Sequence, residues 1–145
     1  MPADHQRGLV DTNIVILRHR LDAEALPAEV AISAITLAEL TAGVHAVRGD
    51  DDEARRERAA RTEVLQRAEN EFDPFPFGVD AARMFGRMSA AVQDAGRSPR
   101  RRAVDLMIAA TAAVEGLPLY TTNATDFAGL ASLVTVVAVP LPEVA

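Results

Sequence analysis

At 145 residues, with 49% hydrophobic and 25% charged side chains, the chain has ordinary globular composition and is long enough to bury roughly 68–70% of its unfolded surface. It contains no cysteine, which excludes disulfides, thiolate-bound zinc and thiol catalysis, and no lysine, which excludes Walker-type phosphate loops and catalytic lysines. A net charge of −6 opposes bulk attraction to nucleic acid, so any contact with phosphate has to be local.

The first apolar run, Leu9-Val10, reads as a short buried strand, followed by Asp11-Thr12-Asn13 and a helix over 14–20. A second helix is expected within 22–29, shortened by Pro27, and Val30 to Ser33 resembles another buried strand. From Thr36 the pattern turns helical until Gly49-Asp50-Asp51-Asp52 interrupts it. Residues 53–70 form a long charged helix with a thin apolar stripe, Ala60, Val64 and Ala68, suited to projecting from the main body. Glu57 to Arg61 and Glu63 to Arg67 stand in the favourable order at four-residue spacing, each pair worth about 0.2–0.5 kcal/mol. Phe72 to Phe77 alternates aromatic residues with Asp73, Pro74 and Pro76 and is expected to be extended, as a strand or strand-like edge.

Residues 79–95 are amphipathic and helical up to Gly96, after which residues 97–102 make a basic connection containing Pro99. A dense apolar helix over 103–115 is closed by Gly116. Leu119-Tyr120-Thr121 reads as a buried strand, 125–130 as a short helical turn, and 134–137 as a last strand. Short apolar strands alternating with helices predict an α/β fold with a mainly parallel sheet covered on both faces. The polar first seven residues lack the apolar stretch of a secretory signal, and no segment reaches the ~20 apolar residues needed to cross a bilayer, so the expected location is cytoplasmic, with no membrane partner.

Four side chains stand out because they occupy the ends of apolar segments: Asp11, Glu39, Asp105 and Asn123. Buried unpaired carboxylates are costly, so several converging at one rim imply a compensating cation. Each also has a plainer explanation. Asp11 can cap the following helix, Thr36 and Glu39 match a capping box, Asp105 suits a helix N-terminus, and Asn123 suits a turn. In parallel sheets, however, functional groups collect beyond the carboxyl ends of the strands, where these four can share a pocket.

In this order and context the chain resembles the PIN-domain ribonucleases, and among them the VapC-type toxins of bacterial toxin–antitoxin pairs. The resemblance runs from Leu9-Val10-Asp11-Thr12-Asn13, through Ser33 to Leu40 and Gly43, to Ala103 to Ala112 and Thr121 to Phe127. It implies one PIN-like domain over 1–145, a three-layer α/β/α sandwich around a short-stranded, mainly parallel sheet. It also implies that Asp11, Glu39 and Asp105 are the acidic metal-site residues, with Asn123 in a fourth position where many relatives carry Asp. Thr12 and Asn13 are expected to support the site, and Asp126 is a candidate substitute for the missing fourth acid.

All-oxygen ligands favour Mg²⁺ or Mn²⁺ over zinc. The implied reaction is metal-dependent hydrolysis of an RNA phosphodiester, with in-line attack of water and products carrying 5′-phosphate and 3′-hydroxyl ends. Arg100, Arg101 and Arg102, with Arg97, are candidate phosphate contacts, whereas His5, His19 and His45 have no ligand spacing. The resemblance further implies an RNA substrate with a single-stranded target in structured RNA, inhibition by a cognate VapB-type antitoxin, and a homodimer. The charged helix and Phe72, Phe75 and Phe77 are candidates for such an interface, the phenylalanines being better explained by core packing. A response-regulator-like domain would need a paired Asp at the first strand and a late lysine, both lacking here. A non-catalytic PIN-like module that binds RNA or protein is the alternative, to be separated from an enzyme by metal-dependent cleavage.

Overall fold

The computed structural model describes residues 6–142. Four short parallel strands, β1 (Arg7–Val10), β2 (Glu29–Ala31), β3 (Leu119–Thr121) and β4 (Val136–Ala138), lie in the order β2-β1-β3-β4. Leu9 pairs with both Ala31 and Leu119, so β1 is central. Because successive side chains on a strand point to opposite faces, this one strand feeds two cores. Leu9 and Leu119 join Met88, Leu106, Ile108 and Leu130 on one face, while Val10 and Tyr120 join Ile14, Ile32, Leu40 and Val139 on the other. Burial on both faces explains why the strands read as continuous apolar runs.

The helices are α1 (Thr12–Leu17), α2 (Ala34–Ala46), α3 (Asp52–Glu71), α4 (Val79–Asp94) and α5 (Ala103–Val114). Helix α4 packs on α5 against the first core, and α2 and α3 pack together with α1 on the second. Thus α3 does not project freely: Ala54 and Ala68 are buried, Val64 and Leu65 pack on the second core, and the expected ion pairs Glu57–Arg61 and Glu63–Arg67 form at 2.8 and 3.0 Å. Asp51 caps α3 by accepting from the Ala54 amide at 2.8 Å. Gly116, at φ +69°, ends α5, and the Leu117 amide reaches back to the Ala112 carbonyl at 2.9 Å.

Several boundaries differ from the sequence expectation. The helix expected within 22–29 is a single 3₁₀ turn, Ala23–Ala25, since Pro27 has no amide to continue it. Phe72 to Phe77 is a strand-like edge rather than a full strand. Its prolines leave only Phe75 to pair, its amide donating to Ile32 and its carbonyl accepting from Ala34 beside Ser33. Phe75 and Phe77 pack on the first core and Phe72 on the second. Helix α2 begins two residues before Thr36, with Ser33 as its cap and the Ile35 amide 3.0 Å from the Ser33 hydroxyl. Gly8 lets β1 pass under an aromatic ring: a Cβ there would lie 2.5 Å from Tyr120 Cε1. His5 lies outside the described residues.

Candidate active site

The strand order reverses between β1 and β3, and at their carboxyl ends a cleft of about 680 Å³ opens. Asp11, Glu39, Asp105, Asn123 and Asp126 all line it, together with Thr12, Asn13 and Thr121. The sheet delivers Asp11 and Asn123 to this point, since the Asp11 amide donates to the Tyr120 carbonyl at 3.1 Å and Asn123 follows β3 by two residues. Glu39 comes from the second turn of α2, and Asp105 from the first turn of α5.

Asp11 is buried and held by both carboxylate oxygens. Oδ1 accepts from the Ile14 amide at 3.2 Å, which makes it the cap of α1, and Oδ2 accepts from the Thr121 hydroxyl at 2.5 Å. The capping role and a site role therefore coexist in one side chain. Burial pushes its carboxyl above the ordinary value, opposed by the bonds from Thr121 and Ile14 and reinforced by the negative charge of Glu39.

Glu39 does not close a capping box. Its Oε1 accepts from the Thr12 hydroxyl at 2.5 Å, and Thr12 Oγ1 also lies 3.1 Å from Thr36 Oγ1. A hydroxyl has one proton and an ionised carboxylate has none, so Thr12 donates to Glu39 and Thr36 donates to Thr12. A buried relay of two threonines thus aims Glu39 from α1 and α2 at once. Asp105 accepts no hydrogen bond among the described residues, and its carboxyl is raised first by burial, then by the negative charges of Glu39, Asp126 and Asp11, against a lowering effect of Arg102. Asp11 and Asp105, both raised by burial and by the charge of Glu39, carry the electrostatic signature of a site that gains from a cation.

The donor set suits a hard cation: every candidate ligand is oxygen and none is Cys or His. Among the described residues no group of three Asp, Glu or His side chains stands at metal-ligating spacing. Two acids are already engaged, Glu39 by Thr12 and Asp126 by Arg102, whose guanidinium lies 2.5 Å from Asp126 Oδ1. Asn123 is exposed at the rim; its amide donates to Thr121 Oγ1 at 3.0 Å, and its side chain makes no capping bond. Asn13 is exposed on the wall of the cleft.

The arginines of 97–102 divide. Arg102 pairs with Asp126, Arg97 donates to the Thr125 carbonyl at 3.1 Å, and Arg100 and Arg101 are exposed on the 3₁₀ turn Arg100–Arg102 and do not line the cleft. Sequence reasoning missed Thr121, which contacts both Asp11 and Asn123, and missed that α3 walls the cleft with Glu57, Ala60, Arg61 and Val64. A threonine ending a strand, two residues before a candidate ligand, was the available signal for the first. No helix of the described residues is long and apolar enough to cross a membrane.

Residues 8–133 match the model of the PIN domain family. Over 126 residues the chain is 37% identical to Ribonuclease VapC5 of Mycobacterium tuberculosis, covering 85% of this chain and 87% of that protein. It superposes with a TM-score of 0.75, at 34% identity, on the crystal structure of VapBC-5 from M. tuberculosis, a member of the VapBC family of toxin–antitoxin systems, covering 94% of this chain and 99% of that one. FitAcB from Neisseria gonorrhoeae matches with a TM-score of 0.64 at 25% identity, covering 89% of this chain and 95% of that chain.

Proposed function

Since this chain belongs to the PIN-domain family, in its VapC-type branch, we propose that it is a metal-dependent endoribonuclease toxin, a hydrolase of RNA phosphodiester bonds restrained by a VapB-type antitoxin. The observation that carries the reading is the meeting of Asp11, Glu39 and Asp105 in one cleft, where burial and mutual repulsion raise the Asp11 and Asp105 carboxyls. Asp11 and Asp105 are the first candidates to hold Mg²⁺ or Mn²⁺, with Glu39 and the Asn123 amide oxygen as further donors. When bound, such an ion supplies positive charge at the phosphodiester and lowers the pKa of nearby water.

The remaining work falls to the chain itself. Thr121 fixes the plane of the Asp11 carboxylate, and the Thr36–Thr12 relay fixes Glu39, so both present oxygen without side-chain reorganisation. Arg102 draws Asp126 aside and so limits the negative charge facing an incoming phosphate. Arg100 and Arg101, exposed on the turn before α5, are candidates to meet RNA outside the cleft. Asn123 contributes an oxygen without charge, which leaves this site less acidic than one with a fourth Asp.

The test is incubation of the purified chain, free of antitoxin, with cellular RNA in Mg²⁺, followed by mapping of the new ends. Cleavage that chelation stops and that Asp11→Ala, Glu39→Ala and Asp105→Ala each remove is expected. Cleavage that survives chelation or all three substitutions overturns the reading. The absence of a ready three-ligand set among the described residues favours one alternative, a PIN-like module that binds RNA without cutting it, and intact RNA bound equally with or without Mg²⁺ would select it.

A further inference from the structure

Among the described residues Arg61 is the one cationic side chain lining the cleft. It comes from α3, as does Glu57, whereas Asp11 follows β1, Glu39 comes from α2, Asp105 from α5 and Asp126 from the segment after β3. Its Nε donates to Glu57 Oε1 at 2.8 Å and its Nη1 to the Gly43 carbonyl at 2.8 Å. These two bonds lock the guanidinium plane against α2, and no described residue accepts from Nη2. A Cβ at Gly43 would stand 4.0 Å from Nη1, an ordinary contact, so Gly43 serves the seat through its carbonyl. An arginine fixed in this way loses little further freedom when it grips an anion.

Arg102 pairs with Asp126, Arg97 donates to a carbonyl, and Arg100 and Arg101 are exposed, but none of the four lines the cleft; Arg61 is likewise paired, with Glu57, yet lines the cleft with Nη2 unclaimed. Glu39, Asp126 and Arg102 all perturb Asp105, and Arg61 does not figure among the charges acting on Asp11 or Asp105. Arg61 is paired with Glu57 on its own helix, while Arg102 is the cation that partly offsets the charge at Asp105. It lines the same cleft as the acids, as Arg61 alone among these arginines does.

We infer that Arg61 is a substrate-positioning residue that binds a backbone phosphate of the RNA strand flanking the scissile one. This deepens the ribonuclease reading and rests on it. The contact is to phosphate, so it contributes affinity and register without reading base identity.

The experiment measures binding of a mixed-sequence single-stranded oligoribonucleotide in Mg²⁺ across a salt series, and cleavage of cellular RNA, for the full chain and for Arg61→Gln and Arg61→Lys. Arg61→Gln is expected to weaken binding about tenfold and to lower the magnitude of the log K against log salt slope by about 0.7, the contribution of one phosphate on a single strand. Arg61→Lys is expected to keep the slope, because the charge remains. A fold defect alone does not move the slope, which separates a positioning role from a structural one. An unchanged slope in Arg61→Gln, with cleavage by the unsubstituted chain intact, overturns the inference and spares the ribonuclease reading. An unsubstituted chain that neither binds nor cuts RNA overturns both.

Discussion

Thr121 donates its hydroxyl to Asp11 Oδ2 at 2.5 Å across 110 residues of sequence, and the same hydroxyl oxygen accepts the Asn123 amide at 3.0 Å. One buried side chain thus sets the orientation of the central acid and the path of the chain that carries the fourth site residue.

Thr121→Val removes both contacts at constant shape. RNA cleavage is expected to fall about 10–100-fold, the usual range for a group that orients a ligand, with loss of about 1–3 kcal/mol from the orphaned polar partners. The lost bond was holding the Asp11 carboxyl down, so its pKa rises further and the acid limb of the pH–rate profile moves to higher pH. Cleavage rates across pH, with urea unfolding alongside, check this.

Thr12→Val is expected to free Glu39 and strand the Thr36 hydroxyl, lowering cleavage to a similar degree, while Thr12→Ser retains the relay and most of the activity. Loss in Thr12→Ser with activity kept in Thr12→Val, measured on the same RNA, would show that Thr12 acts through its methyl packing.

Asp105→Asn is expected to raise the melting temperature of the metal-free protein and to abolish cleavage. The sign follows from linkage. A carboxyl raised in the folded state holds its proton where the unfolded chain has released it, so stability falls as pH climbs from the ordinary carboxyl value of 3.8 through the raised one. The neutral amide removes that loss. Mg²⁺ should raise the melting temperature of the unsubstituted chain and should do so far less for Asp105→Asn, since a ligand stabilises only the state that binds it. Calorimetry with and without chelator, across pH, reads all three effects.

Gly8→Ala drives a methyl into the Tyr120 ring and is expected to cost about 1–3 kcal/mol while also weakening cleavage, because the β1–β3 seam it forces open is the seam that positions Asp11. Denaturation midpoint and cleavage rate should fall together.

The strands and their terminal acids were legible because burial on both faces writes them as apolar runs ended by a carboxylate or amide. What failed was wherever one local pattern had two physical outcomes. Thr36 and Glu39 spell a capping box, yet Ser33 takes the cap and Glu39 turns to Thr12, a partner 27 residues away that no local motif predicts. Phe72 to Phe77 alternates like a strand, but Pro74 and Pro76 lack the amides a ladder needs. The arginines of 97–102 looked like one basic patch, and tertiary contacts assign Arg97 and Arg102 to separate partners. The charged surface of α3 hid a wall of the cleft because its apolar stripe is thin and small.

The long reach from Asp11 to Thr121 also governs when the protein becomes dangerous. β1 leaves the ribosome early, but the strand beside it and the loop bearing Asn123 come near the end of synthesis, and domains assemble as their partners emerge. A polypeptide cut short before residue 121 holds its first acid without the hydroxyl that aims it and without the strand that seats it, so cleavage is expected only after this late segment has joined the sheet.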